Sequence, residues 1–107
     1  MRDDAKKPNH FEPEGYPALM EFFPAYLHED FAVEYGSAAR AFAAIVSDAN
    51  GDQIRNIKEE WTALRHVFSG CPLADLHSGL AQLGAAWQPQ SEQELQAVDE
   101  ILRQAEA

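Results

Sequence analysis

The sequence predicts an all-α fold: a compact bundle of five or six short helices, the first of them kinked or split at Pro24. Apolar residues recur at three- and four-residue spacing along most of the chain, and no stretch alternates with the two-residue period of a strand. The breaks between periodic stretches are short, which favours antiparallel neighbours. At 107 residues the chain suits one domain, expected over 16–107 behind a flexible arm at 1–15.

The arm carries Pro8 and Pro13, lacks hydrophobic periodicity, and holds one isolated apolar ring, Phe11, that is expected to dock on the domain. Pro17 suits the first position of a helix, and Leu19, Phe22, Phe23 and Tyr26 follow at helical spacing. Pro24 cannot donate to the carbonyl of Met20, so two helical pieces are expected, the second near 25–33 and closed by Gly36. Ser37 is the expected N-cap of a helix over 38–49, with Phe42, Ile45, Val46 and Ala49 on one face. Asn50-Gly51 should stop it, and Asp52 should cap the longest helix, which runs to about Phe68. Ile54, Ile57, Trp61, Leu64 and Phe68 form its apolar stripe; Arg55, Lys58, Glu59 and Arg65 read as a solvated opposite face.

Pro72 should open the next helix in the first position, with Leu73, Leu76, Leu80 and Leu83 as its inner face and Gly84 as its stop. Gly79 inside it weakens the helix by about 1 kcal/mol relative to alanine, so tertiary support is required. After a loop carrying Trp87 and Pro89, Ser91 and Glu94 have capping-box spacing, and Leu95, Val98, Ile101 and Leu102 form the last buried face.

Charge is one-sided. Eighteen acidic and eight basic side chains give a formal net charge of −10, which opposes nucleic acid and anionic membrane surfaces and favours a cationic protein partner. From Pro8 to Ala39 there are six acids (Glu12, Glu14, Glu21, Glu29, Asp30 and Glu34) and no lysine or arginine. The same region holds Tyr16, Phe22, Phe23, Tyr26, Phe31, Tyr35 and the ring of His28, so one segment carries both an aromatic payload that wants burial and an acidic face that wants a cation. Residues 1–15 do not resemble a signal peptide and no apolar run is long enough to span a bilayer, so the cytoplasm is the expected compartment.

Chemistry is weakly represented. Cys71 is the only cysteine, which excludes an intramolecular disulfide and a cysteine-based zinc site. It precedes a helix, where the dipole could lower a thiol pKa, but no histidine pairs with it in sequence. His28, Glu29, Asp30 and Glu34 cluster, yet adjacent helical positions point apart, and His66 and His77 fall on different helices. No catalytic, cofactor-binding or metal-binding residue is assigned, and no enzyme activity is expected.

Three motifs then carry a resemblance: Tyr16-Pro17-Ala18-Leu19; Phe22-Phe23-x-Ala25-Tyr26-Leu27-His28-x-Asp30-Phe31; and Glu34-Tyr35-Gly36-Ser37. Together with Leu83-Gly84, Trp87 and Pro89, they resemble the CdiI-type immunity proteins of contact-dependent growth inhibition systems. The chain departs from that pattern at Pro24, Glu29 and Phe31, where glycine, glutamine and tryptophan are usual. The resemblance implies a small helical protein that blocks a cognate toxin C-terminal domain, often a nuclease, stoichiometrically and without cofactors. It also implies that Tyr26 and His28 are structural, and a buried His28 bonded to Asp30 or to backbone is expected. Glu29, Asp30, Glu34 and Tyr35 are the candidate toxin contacts. The competing reading is an acidic helical adaptor or regulator of a basic host protein, and self-association is left open.

Overall fold

The structure, a computed structural model, describes residues 11–105; residues 1–10, most of the expected arm, lie outside the described residues. A single 3-10 turn at Pro13–Gly15 leads into α1 (Pro17–Tyr26), followed by α2 (Phe31–Tyr35), α3 (Ala38–Asp48), α4 (Gly51–Val67), α5 (Leu73–Gln82) and α6 (Glu92–Gln104). Among the described residues there are six α-helices and no strand, the compact all-α bundle expected. No helix of the described residues is long and apolar enough to cross a membrane.

The first helix starts where Pro17 allows it, but Tyr16 offers no side-chain cap. The orphan amides are answered from another helix instead. The Glu60 carboxylate, halfway along α4, accepts from the N–H of Ala18 (3.1 Å) and of Leu19 (3.0 Å). A negative charge at a helix N-terminus is favourable twice, as acceptor and as counter-charge to the dipole. Leu19, Phe22 and Phe23 then bury α1 against α3 and α4.

Pro24 does not split α1. The helix continues to Tyr26 and the interruption falls at 27–30, so the second piece is α2 and not a helix over 25–33. A proline near the C-terminus of a helix removes only one backbone bond, to the Met20 carbonyl, and both residues lie on the exposed side of α1.

Ser37 caps α3 by accepting from the Arg40 N–H, as its position suggests. Asn50, not Asp52, caps α4. Its side chain accepts from the Gln53 N–H (2.8 Å) while Gln53 Oε1 accepts from the Asn50 N–H (2.9 Å), a complete capping box, and Gly51 becomes the first helical residue. At α5, Pro72 is the N-cap and Leu73 opens the helix. Gly79 receives its tertiary support from Phe68: an added Cβ would lie 2.6 Å from Phe68 Cζ. Phe11 docks beside the same ring, 5.2 Å from Phe68 and 5.5 Å from Tyr16 between centroids.

The core runs through the middle of the bundle around Phe42, whose ring meets Phe23, Trp61 and Trp87. Alanines at 38 and 41 are buried beside it, and α3 packs on α6. Both tryptophans end on carboxylates of α6: Trp61 Nε1 donates to Asp99 Oδ1 (2.7 Å) and Trp87 Nε1 to Glu94 Oε1 (3.2 Å). Ser91 accepts from the Glu94 N–H, but the Glu94 side chain turns to Trp87 and the Gln90 N–H, so only half of the expected capping box forms. Arg65 is not on a solvated face either. Its guanidinium holds Asp99 (3.1 and 2.9 Å) and Glu92, joining α4 to α6.

Gly84 ends α5 at φ +96°, and an added Cβ would lie 2.6 Å from Pro24 Cγ. Gly84→Ala is expected to lose about 2–4 kcal/mol by urea denaturation, and only about 1–2 kcal/mol in a Pro24→Ala background where the steric part is relieved. Burial raises the Asp99 carboxyl pKa, but the hydrogen bonds from Arg65 and Trp61 and the Arg65 charge outweigh it, leaving it below its ordinary 3.8. A lowered carboxyl stabilises the fold above its unfolded value, and that stabilisation is lost as pH falls through the folded one. The advantage of wild type over Asp99→Asn should be about 1 kcal/mol at pH 7, small because the carboxylate is 39% exposed, and should shrink towards zero below 3.8.

Candidate functional site

The acidic aromatic segment folds as α1, the turn at 27–30 and α2, and its rings and its carboxylates part company. Phe22, Phe23 and Leu27 face the core, whereas Glu29, Asp30 and Glu34 are exposed. Tyr26 stands between. Its hydroxyl donates to Asp48 Oδ2 at the end of α3, and its ring stacks on Tyr35 of α2 (centroids 6.0 Å, 24° apart) and meets Phe22. The end of α1, the end of α3 and the last residue of α2 are therefore tied through one side chain.

His28 is half-buried, its side chain 35% exposed, not fully enclosed as expected. Its ring bridges the turn to α2. Nδ1 accepts from the Asp30 N–H (3.0 Å), so Nε2 carries the proton and donates to Glu34 Oε1 (2.8 Å). The expected bond to backbone forms, while the carboxylate partner is Glu34 instead of Asp30. The turn closes further with Phe31 N–H on the His28 carbonyl, and Ala86 N–H donates to the Leu27 carbonyl at 2.7 Å, fixing it to the loop that carries Trp87.

Of the four candidate contacts, Glu29 and Asp30 project from the turn, and Asp30 makes no side-chain cap bond at α2. Glu34 is engaged by His28, and Tyr35 is half-buried against Tyr26. The most exposed large apolar residue of the segment is Val33 on α2, 88% exposed against 40% for Met20 on α1, and periodicity had not singled it out. A valine in the middle of a five-residue helix lacks any partner in the periodic pattern, which is the signal that could have found it.

Elsewhere the chemistry stays sparse. Among the described residues no three His, Cys, Asp or Glu side chains converge as a metal site requires. His77 Nε2 donates to the Pro89 carbonyl. Cys71 and His66 line one recess of about 410 Å³ beside the Arg65–Asp99–Glu92 ion pairs, with no hydrogen bond between thiol and imidazole. Since Pro72 is the N-cap of α5, the thiol does not occupy the capping position.

The tyrosine arrangement has a titration signature. The hydrogen bond to Asp48, with burial and the Asp48 charge behind it, pushes the Tyr26 phenol up to about 12. Spectrophotometric titration of a Tyr35→Phe protein should show one phenol ionising near 12, and Asp48→Asn should bring it back towards 10. A raised phenol pKa stabilises the fold below 10, and this contribution fades as pH rises through about 12.

Comparison of the chain with family models, with curated proteins and with solved structures gives no match.

Proposed function

We propose that this chain is an immunity protein that binds and neutralises a cognate toxin domain of contact-dependent growth inhibition, a basic nuclease domain, by covering it stoichiometrically in the cytoplasm. The observation that carries the reading is the separation within residues 16–37: rings turned inward and tied down, carboxylates at 29 and 30 and the Val33 side chain turned outward. The motif resemblance of the same segment supports it. No chemistry is required of the protein. Carboxylates stand in for the phosphates of the toxin's polyanionic substrate, and charge sets the rate and orientation of encounter. Persistence comes from desolvated apolar anchors, because useful protection demands a dissociation constant of order nanomolar, about −12 kcal/mol. The pinned turn supports this mechanism, since a preordered surface loses less entropy on docking.

Co-expression with the toxin domain encoded next to this chain tests the reading: cell growth should be restored and the two proteins should co-purify as a stoichiometric complex. Glu29→Lys/Asp30→Lys should slow association about 10–100-fold at low salt with helicity unchanged, and the wild-type rate should fall as salt rises. Killing that continues despite abundant folded protein overturns the proposal.

A further inference from the structure

A groove of about 460 Å³ lies beside the acidic turn. Its walls are Phe31 and Ala32 of α2, Ala38 and Ala39 at the start of α3, Trp87 of the preceding loop, and Ala97 of α6. Small side chains on three helices leave room lined by the half-buried Phe31 ring and by the small part of Trp87, 3% exposed, that the core leaves uncovered. The volume falls in the range of pockets that enclose a ligand group.

Its electrostatics are mainly negative. The only charged residue in the lining is Glu94, whose carboxylate is fixed at the wall by the Trp87 Nε1–H and the Gln90 N–H. Asp30 at the N-cap and Glu34 on α2 flank Phe31, while Glu100, one turn beyond Ala97 on α6, is paired with Arg103. Arg40 stands close to Gly36 as an opposing cation at this edge. A second copy of the chain would set one excess of negative charge against another, and nucleic acid would be repelled in the same way.

We infer that this groove receives a basic protein segment bearing one bulky apolar side chain, seated between Phe31 and Trp87 with its lysines or arginines against the carboxylates of the rim. This names the anchoring site and the partner chemistry for the neutralisation described above, and it rests on that reading only for the partner's identity. Apolar seating in a desolvated pocket supplies persistence, and the carboxylate rim selects basic segments over others of equal hydrophobicity.

The probe is a short amphipathic peptide of lysine and leucine, titrated into the isotopically labelled full chain. Amide shifts should concentrate at Phe31–Ala39, at Trp87 and Gln88 and around Ala97, and the Trp87 indole resonance should move. Replacing leucine by serine, or lysine by glutamate, in the peptide should each weaken binding at least about tenfold, as should raised salt in the second respect. Ala97→Gln fills the groove from an exposed helical position, changes no charge, and should weaken peptide binding about tenfold with the circular dichroism unchanged. Shifts scattered over the acidic surface, equal binding of the serine or glutamate peptide, or indifference to Ala97→Gln overturn the inference. Protection in co-expression separates the two proposals: Ala97→Gln protein that protects as well as wild type removes the groove and leaves neutralisation standing. Wild type that fails to protect, while the lysine–leucine peptide still seats at Phe31 and Trp87, removes neutralisation and leaves the groove.

Discussion

The ring of Phe42 is the contact on which the rest of the bundle depends. It lies edge-on to Phe23 at 5.7 Å, to Trp61 at 5.3 Å and to Trp87 at 5.9 Å, so one side chain of α3 meets α1, α4 and the loop before α6. Edge-to-face geometry places the positive rim of one ring on the negative face of another, which orients the packed helices as well as attracting them. Two of those partners are tryptophans, and a buried indole N–H must find an acceptor. Asp99 and Glu94 supply them from α6. The aromatic centre thus dictates where two acids of the last helix must sit, and Asp99 in turn brings Arg65 across from α4.

This divides the carboxylates into two populations. Glu60, Asp99 and Glu94 each answer a part-buried donor the fold would otherwise leave unpaired: the first amides of α1 and two indoles. Leaving such a donor unsatisfied costs about 1–3 kcal/mol, so these acids belong to the fold whatever the protein binds. Glu29 and Asp30 answer nothing of that kind with their side chains. Among the described residues no cation pairs with them, and a cationic partner recovers its interaction energy without breaking a structural bond.

Periodicity made the helices legible because each buries one stripe, and the stripe of α4, Ile54 to Phe68, is buried as the three-and-four spacing demands. Caps were less legible where two polar residues compete. Asn50 and Asp52 both suit an N-cap, and the choice went to the one whose N3 residue, Gln53, could return a hydrogen bond. Residues that act across long sequence separations left no local trace. Glu60 serves α1 from more than forty positions away, and Arg65 looked solvated because its partners belong to α6. The candidate site was legible as a segment, since charge and aromatic content are local properties, but not in its division of labour: nothing in sequence distinguishes Glu34, held by His28, from Glu29, which no described residue holds.

The geometry also explains how a short helix with an exposed valine stays in place. Five residues cannot sustain a helix in water, so α2 must be held from outside. Tyr35 stacks on Tyr26, Glu34 accepts from His28, and the preceding turn is fixed by Ala86 through the Leu27 carbonyl. Each of these restraints acts on the inner side or the ends of α2 and leaves Asp30 and Val33 to solvent. The bond from Ala86 also places the Trp87 loop opposite Phe31, so the restraint that orders the acidic turn builds one wall of the neighbouring groove. Turn and groove therefore share one rigid support, and a partner that spans both meets charge and apolar surface already in register, with little ordering left to oppose its binding.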